Sequence, residues 1–221
     1  MNKPLSRHDF VWLDERLLEM RIEGDVSCME IAHAWFAADR PAIVCRRSTQ
    51  TSSDHVRLGI PLPPSRGKVR IAVEVPYESI RQSRQPPTLQ EVIDSVPQQW
   101  QSPLRQLTRE ALANKLQFQV YGSVAWQYLT GENYVTAQSD IDLLWRAYSQ
   151  EDISKGLEIL LHWENSSGLK ADGELLFSDG SAMAWRELLT TSRKVMVKSR
   201  SLVELKPLSD LVGMLPVRCA V

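Results

Sequence analysis

One segment, residues 118–145, restricts what this chain can fold into more than any other. An apolar run, Phe118 to Tyr121, stops at Gly122-Ser123. A helical stretch follows, a turn is expected at Gly131, and the segment closes with Ser139-Asp140-Ile141-Asp142-Leu143-Leu144-Trp145. In that closing piece Ile141, Leu143 and Trp145 alternate with Asp140, Asp142 and Leu144, which is the period of a strand. Side chains two apart on a strand share a face, so Asp140 and Asp142 project together. Neighbouring carboxylates repel, and a divalent cation such as Mg²⁺, which prefers hard oxygen donors, relieves the repulsion. Glycine lets a backbone approach a phosphate closely, and the N–H groups opening the next helix favour anions. Gly122 and Ser123 are therefore the expected phosphate-binding half of a site, and Asp140 and Asp142 its catalytic, metal-binding half.

The order strand, Gly-Ser, helix, strand with paired Asp resembles the nucleotidyltransferase superfamily, whose members are similar to DNA polymerase beta. Tyr121-Gly122-Ser123 and Asp140-Ile141-Asp142-Leu143 carry the likeness, with a spacer from Ser123 to Asp140 somewhat longer than is usual there. The resemblance implies a third carboxylate on the next strand. Asp172 and Glu174 share a face of the strand expected over 169–177, and the sequence does not choose between them; Asp172-Gly173 also has the form of a simple turn. Lys198, after Val195-Met196-Val197, is the candidate cation for departing phosphates, with Arg186 and Arg200 as weaker ones. Trp126, Trp145 and Trp185 are expected in the core.

The remainder reads as an α+β protein: a small N-terminal α/β domain over 1–80, and a catalytic domain over 81–221 with a mixed sheet flanked by helices. Apolar spacing predicts helices over 8–22 and 29–38, then a buried strand over 42–45. Residues 68–75 alternate as a half-exposed strand, and 80–88, with its paired prolines, reads as a linker. Thr88 and Glu91 form a capping box for a short helix. Further helices are expected from Pro103 to Leu116 and from Gln150 to Glu164, and a hairpin turn at Ser178-Asp179-Gly180.

Charge is balanced, 26 basic against 27 acidic residues, which argues against nucleic acid as a partner. No apolar run is long enough to span a membrane, and the polar start of the chain does not have the form of a signal peptide. Cys28, Cys45 and Cys219 form no Cys-x-x-Cys pair, which fits reduced thiols and a cytoplasmic setting, with Cys28 and Cys45 filling core. The four histidines lack zinc-ligand spacing. Arg46, Arg47, Arg57, Arg66, Lys68 and Arg70 concentrate basic charge in the N-terminal part.

A second resemblance runs over most of the chain. Arg40-Pro-Ala-Ile-Val-Cys-Arg-Arg47, Leu58-Gly-Ile-Pro-Leu-Pro-Pro-Ser-Arg-Gly-Lys-Val-Arg-Ile71, Tyr121-Gly-Ser-Val-Ala-Trp126, Ser139-Asp-Ile-Asp-Leu-Leu144, Asp172-Gly-Glu174 and Ala184-Trp-Arg-Glu187 are similar to the malonate decarboxylase holo-acyl carrier protein synthases, or phosphoribosyl-dephospho-CoA transferases. That resemblance implies transfer of 2′-(5-phosphoribosyl)-3′-dephospho-CoA from its triphosphoribosyl donor to a serine of the apo acyl carrier subunit of malonate decarboxylase. Pyrophosphate leaves, and two Mg²⁺ (or Mn²⁺) ions assist. Because the catalytic signature lies wholly after residue 118, the basic residues of the N-terminal domain are expected to recognise the acidic carrier, with the donor as the alternative ligand. From the residues alone an antibiotic-type nucleotidyltransferase, a polymerase-like or ligase-like enzyme, and a non-catalytic nucleotide-binding module remain open.

Overall fold

The computed structural model describes residues 5–14, 19–23, 26–48, 50–67, 69–199 and 201–215. Lys68, Arg200 and Cys219, named above, lie outside the described residues. The fold is α+β, and its chain divides into two compact units. The first comprises Met1–Pro86 together with Leu129–Tyr134, and the second Pro87–Tyr128 together with Val135–Val221.

The first unit is built on a six-stranded sheet, β1 (Phe10–Leu13), β2 (Arg21–Glu23), β3 (Ala42–Val44), β4 (His55–Pro61), β5 (Arg70–Pro76) and β6 (Ile80–Arg84), in the order β2-β5-β4-β3-β1-β6. Every pairing in it is antiparallel. The central hairpin β4/β5 alternates cleanly: Val56, Leu58, Ile60, Ile71, Val73 and Val75 are buried, while the residues between them are partly or fully exposed. Such alternation is what a sheet with one covered face requires. One helix, α1 (Val26–Ala37), contributes the buried Ala32, Trp35 and Phe36.

Two expectations are corrected here. The described residues of the segment 8–22 form strand β1 and the start of β2, not a helix. β1 lies between β3 and β6, and Phe10, Val11 and Leu13 are all buried; a short strand covered on both faces has no period-2 signature. The stretch 80–88 is not wholly irregular, because Ile80–Arg84 forms edge strand β6 against β1. An edge strand can carry polar side chains such as Arg81, Gln82 and Ser83, all exposed, and still satisfy its ladder.

The long spacer in the central motif has a structural destination. Leu129–Tyr134 belong to the first unit. There the buried Tyr134 donates its hydroxyl to the Pro61 carbonyl at 2.8 Å. Burial pushes the Tyr134 hydroxyl well above the usual tyrosine range, so it stays a neutral donor. Glu132 pairs with Arg40, whose guanidinium lies over the Trp35 ring at 4.9 Å.

The second unit carries β7 (Phe118–Val120), β8 (Ile141–Arg146), β9 (Ala171–Leu176), β10 (Ala182–Ala184), β11 (Lys194–Lys198) and β12 (Val203–Pro207) in the order β12-β11-β10-β9-β8-β7. All its neighbours are antiparallel except β8 and β9, which run parallel. A parallel pair needs a crossover, and α5 (Gln150–Ser167) supplies it, started by the Ser149 hydroxyl accepting from Asp152 N at 3.0 Å. Thr88 and Glu91 form the expected capping box on α2 (Leu89–Val92). Helix α3 (Gln98–Ala113) begins five residues before the expected Pro103, which lies inside it. The Pro103 carbonyl accepts from the buried Trp163 indole at 2.8 Å. Trp126, Trp145 and Trp185 are all core residues. Cys28 and Cys45, expected in the core, are both of intermediate exposure, and neither is in a disulfide among the described residues. Burial nonetheless raises the Cys45 thiol above its ordinary pKa, against the lowering effect of Arg57, Arg7 and Arg70.

Candidate active site

Asp140 and Asp142 sit at the start of β8, and Asp172 at the start of β9. The parallel pairing places Asp142 directly beside Asp172, and Ile141 beside Ala171. Ile141 and Leu143 alternate with the two acids and are fully buried, which turns Asp142 to the opposite face. The three aspartates each offer a carboxylate oxygen, and these atoms lie within 4.8 Å of one another. Asp140 and Asp172 are exposed and Asp142 is half-buried, so the cluster opens to solvent.

The backbone around the cluster is shaped for close approach. Helix α4 (Gly122–Thr130) follows β7 at once, and Tyr121 N donates to the Asp142 carbonyl at 3.0 Å. Gly122 has φ +62, and a Cβ there would lie 1.7 Å from Asp142 Oδ2. A side chain is thus excluded twice, by conformation and by the carboxylate that occupies its space. Ser123, half-buried, is the second residue of the same helix. At β9, Gly173 has φ +133, and a Cβ would meet the Leu143 carbonyl at 1.9 Å. Asp172-Gly173 therefore lies inside a strand, not in a free turn, and the Gly173 N–H donates to Asp172 Oδ1 at 2.8 Å.

The two candidates for a third acid have different surroundings. Asp172 stands in the cluster with Asp140 and Asp142. Glu174 is buried and takes Lys198 Nζ at 3.2 Å, with Lys198 one-third exposed. Lys198 thus lies at the end of β11 as the sequence suggested, bound to an acid on β9. Arg186 is engaged by Glu164, a residue the sequence did not single out, at 2.5 Å. Only the convergence of α5 with the turn after β10 brings those two together.

The donor set suits a hard divalent cation. Three carboxylates meet with open positions beside them, and no thiolate or imidazole is among the ligand atoms. Mg²⁺ typically keeps several waters and takes a few carboxylates plus substrate phosphates, which matches this exposure.

Comparison with known proteins agrees with this architecture. Residues 88–208 match the family described as phosphoribosyl-dephospho-CoA transferase MdcG, C-terminal domain, and residues 6–86 match its N-terminal domain. A phosphoribosyl-dephospho-CoA transferase from Xanthomonas euvesicatoria pv. vesicatoria (strain 85-10) is 40% identical over 97% of this chain and 99% of its own length. The protein of the same name from Bradyrhizobium diazoefficiens is 35% identical over 90% of this chain and 88% of its own. No solved structure matches the chain. Among the described residues no helix is long and apolar enough to cross a membrane. With both domain signatures present and relatives aligned over nearly their whole length, the chain belongs to the phosphoribosyl-dephospho-CoA transferase family of enzymes.

Proposed function

We propose that the protein transfers 2′-(5-phosphoribosyl)-3′-dephospho-CoA from 2′-(5-triphosphoribosyl)-3′-dephospho-CoA to a serine of the apo acyl carrier subunit of malonate decarboxylase. The serine oxygen attacks the α-phosphorus of the triphosphate and its proton passes to solvent. The bond from that phosphorus to the β-phosphate bridging oxygen breaks, pyrophosphate departs, and a phosphodiester remains on the carrier. The observation that carries this reading is the three-aspartate cluster lying against the first turn of α4.

Asp140, Asp142 and Asp172 would hold Mg²⁺ or Mn²⁺, two ions in the reading favoured here. Such ions supply a more acidic serine hydroxyl and charge neutralisation for the phosphates. The chain's own groups do the positioning. Gly122 and Ser123 bring backbone N–H groups of the α4 start to the β- and γ-phosphates. Lys198 faces the leaving group, its side chain oriented by Glu174. Positioning and charge neutralisation would supply the catalysis, so no covalent enzyme intermediate is required. The first unit is assigned to recognition of the carrier, and Cys28 and Cys45, neither of them in a disulfide among the described residues, fit a cytoplasmic setting.

The test is mass spectrometry of the apo carrier after incubation with enzyme, Mg²⁺ and donor. The expected result is one added phosphoribosyl-dephospho-CoA group on a single serine, with an equal yield of pyrophosphate. Pyrophosphate release with an unmodified carrier, the nucleotide appearing on a small molecule instead, would overturn the assignment.

A further inference from the structure

Ala171 opens β9 one residue before Asp172 and is fully buried. On one side it lies beside Ile141 of β8. On the other side β10 pairs only as far as Ala184, opposite Glu174, so its ladder stops short of Ala171. A buried N–H and C=O need partners, and leaving either unmet is costly. Two side chains supply what the strand does not. Glu164 Oε1 accepts the Ala171 N–H at 2.8 Å, and Arg186 Nη2 donates to the Ala171 carbonyl at 2.6 Å. The same Arg186 nitrogen donates to Glu164 Oε1 at 2.5 Å, closing a three-cornered clamp.

The clamp is well founded. Glu164 projects from the last turn of α5 and its side chain is 7% exposed. The Arg186 guanidinium lies over the fully buried Trp185 ring at 4.4 Å, a contact that fixes the direction of its planar fork. On the far side of Asp172, the Gly173 N–H holds Oδ1. Asp172 is an exposed side chain, yet the backbone on both sides of it is pinned.

We propose that Glu164 and Arg186 are positioning residues for the metal cluster. By fixing both polar groups of Ala171 they set where β9 begins, and so hold the Asp172 carboxylate beside Asp140 and Asp142. The inference rests on the reading of Asp172 as a metal ligand and adds to it the device that aims the ligand.

The experiment is Mn²⁺ binding to the full-length protein without substrate, read from the electron paramagnetic resonance signal of free Mn²⁺. Circular dichroism confirms that each variant is folded. Asp172→Asn weakens binding, and Arg186→Met weakens it about tenfold, the scale typical of residues that orient ligands. In an Asp172→Asn background, Arg186→Met has no further effect, because the ligand it aims is already gone. A role in stability alone would lower the melting temperature and leave Mn²⁺ affinity untouched. Wild-type affinity in Arg186→Met, or in Arg186→Lys should the methionine variant not fold, overturns the proposal. So does a full additional loss in the double variant. Wild-type affinity in Asp172→Asn overturns the metal reading beneath it instead.

Discussion

The two units each present a six-stranded sheet, and they differ in one pairing. In the first unit every neighbour is antiparallel, so successive strands start at opposite ends and their charged residues spread over the sheet. In the second unit β8 and β9 are parallel, so both begin at the same end. Asp140 and Asp142 at the head of one strand then meet Asp172 at the head of the next. Reversing β9 would carry Asp172 to the other end of the sheet, some 15–20 Å away for a strand of six residues. The comparison teaches that one parallel pair, with the α5 crossover it demands, is enough to turn a structural sheet into one that can gather acids at a point.

The strongest way to break this contrast is to remove a gathered acid. Asp140→Asn or Asp142→Asn is expected to abolish carrier modification, a loss of at least about 10³-fold, since a lost metal ligand removes several kcal/mol of transition-state stabilisation. Folding should survive. Without metal the melting temperature should be unchanged or higher, because the substitution relieves repulsion between like charges. A variant with near-normal turnover would remove the metal assignment.

The contrast sharpens within β9 itself. Asp172 and Glu174 sit two residues apart, but only Asp172 lies in the cluster, while Glu174 is buried against Lys198. Asp172→Ala should cost roughly 10²-fold in kcat with little change in stability. Glu174→Ala should cost about 1 kcal/mol of stability, since the one-third exposed Lys198 can turn to water, and less than tenfold in activity. Equal and mild effects in steady-state assays would reject the distinction.

A matched pair of glycines compares the two units directly. Gly122 and Gly131 both have positive φ, so alanine at either costs about 1 kcal/mol of backbone strain. At Gly131, which is in the first unit, an added Cβ would have nothing within 4 Å, whereas at Gly122 it would meet Asp142 Oδ2 at 1.7 Å. Thermal melts should therefore show both variants weakened. Only Gly122→Ala should also lose activity, by about tenfold to a hundredfold, through displacement of the carboxylate.

The same comparison explains what the sequence made legible. Gly122-Ser123 and Asp140-Ile141-Asp142 lie in one short segment, and strand alternation turns both acids to one face without knowledge of the rest. Asp172 and Glu174 could not be separated, because period 2 puts them on the same face and only the packing of Lys198 distinguishes them. The Glu164–Arg186 clamp was out of reach, since its partners are 22 residues apart and meet through a helix end and a turn. In the first unit, β1 was hidden by burial on both faces and β6 by its exposed polar residues. The alternating strand β5 was plain, because one face is core and the other is not.

The smallest expected effect concerns the first unit's basic residues, proposed above to recognise the carrier. They are not equivalent. Arg47 is tied into its own loop, donating to the Thr51 carbonyl at 3.1 Å and the Ser52 carbonyl at 2.5 Å. Arg46, Arg66 and Arg70 are exposed. Carrier proteins are commonly acidic, and opposite charge raises encounter rates more than it tightens the bound state. Charge reversal at Arg66 and Arg70 should therefore raise the carrier KM by roughly threefold to tenfold and flatten the salt dependence of kcat/KM. Donor affinity should be unchanged. Arg47→Ala should do neither, and instead lower the melting temperature by releasing the Thr51 and Ser52 carbonyls. If calorimetry on the Arg66→Glu/Arg70→Glu protein shows lost donor binding while the carrier KM stays put, these arginines serve the donor's phosphates.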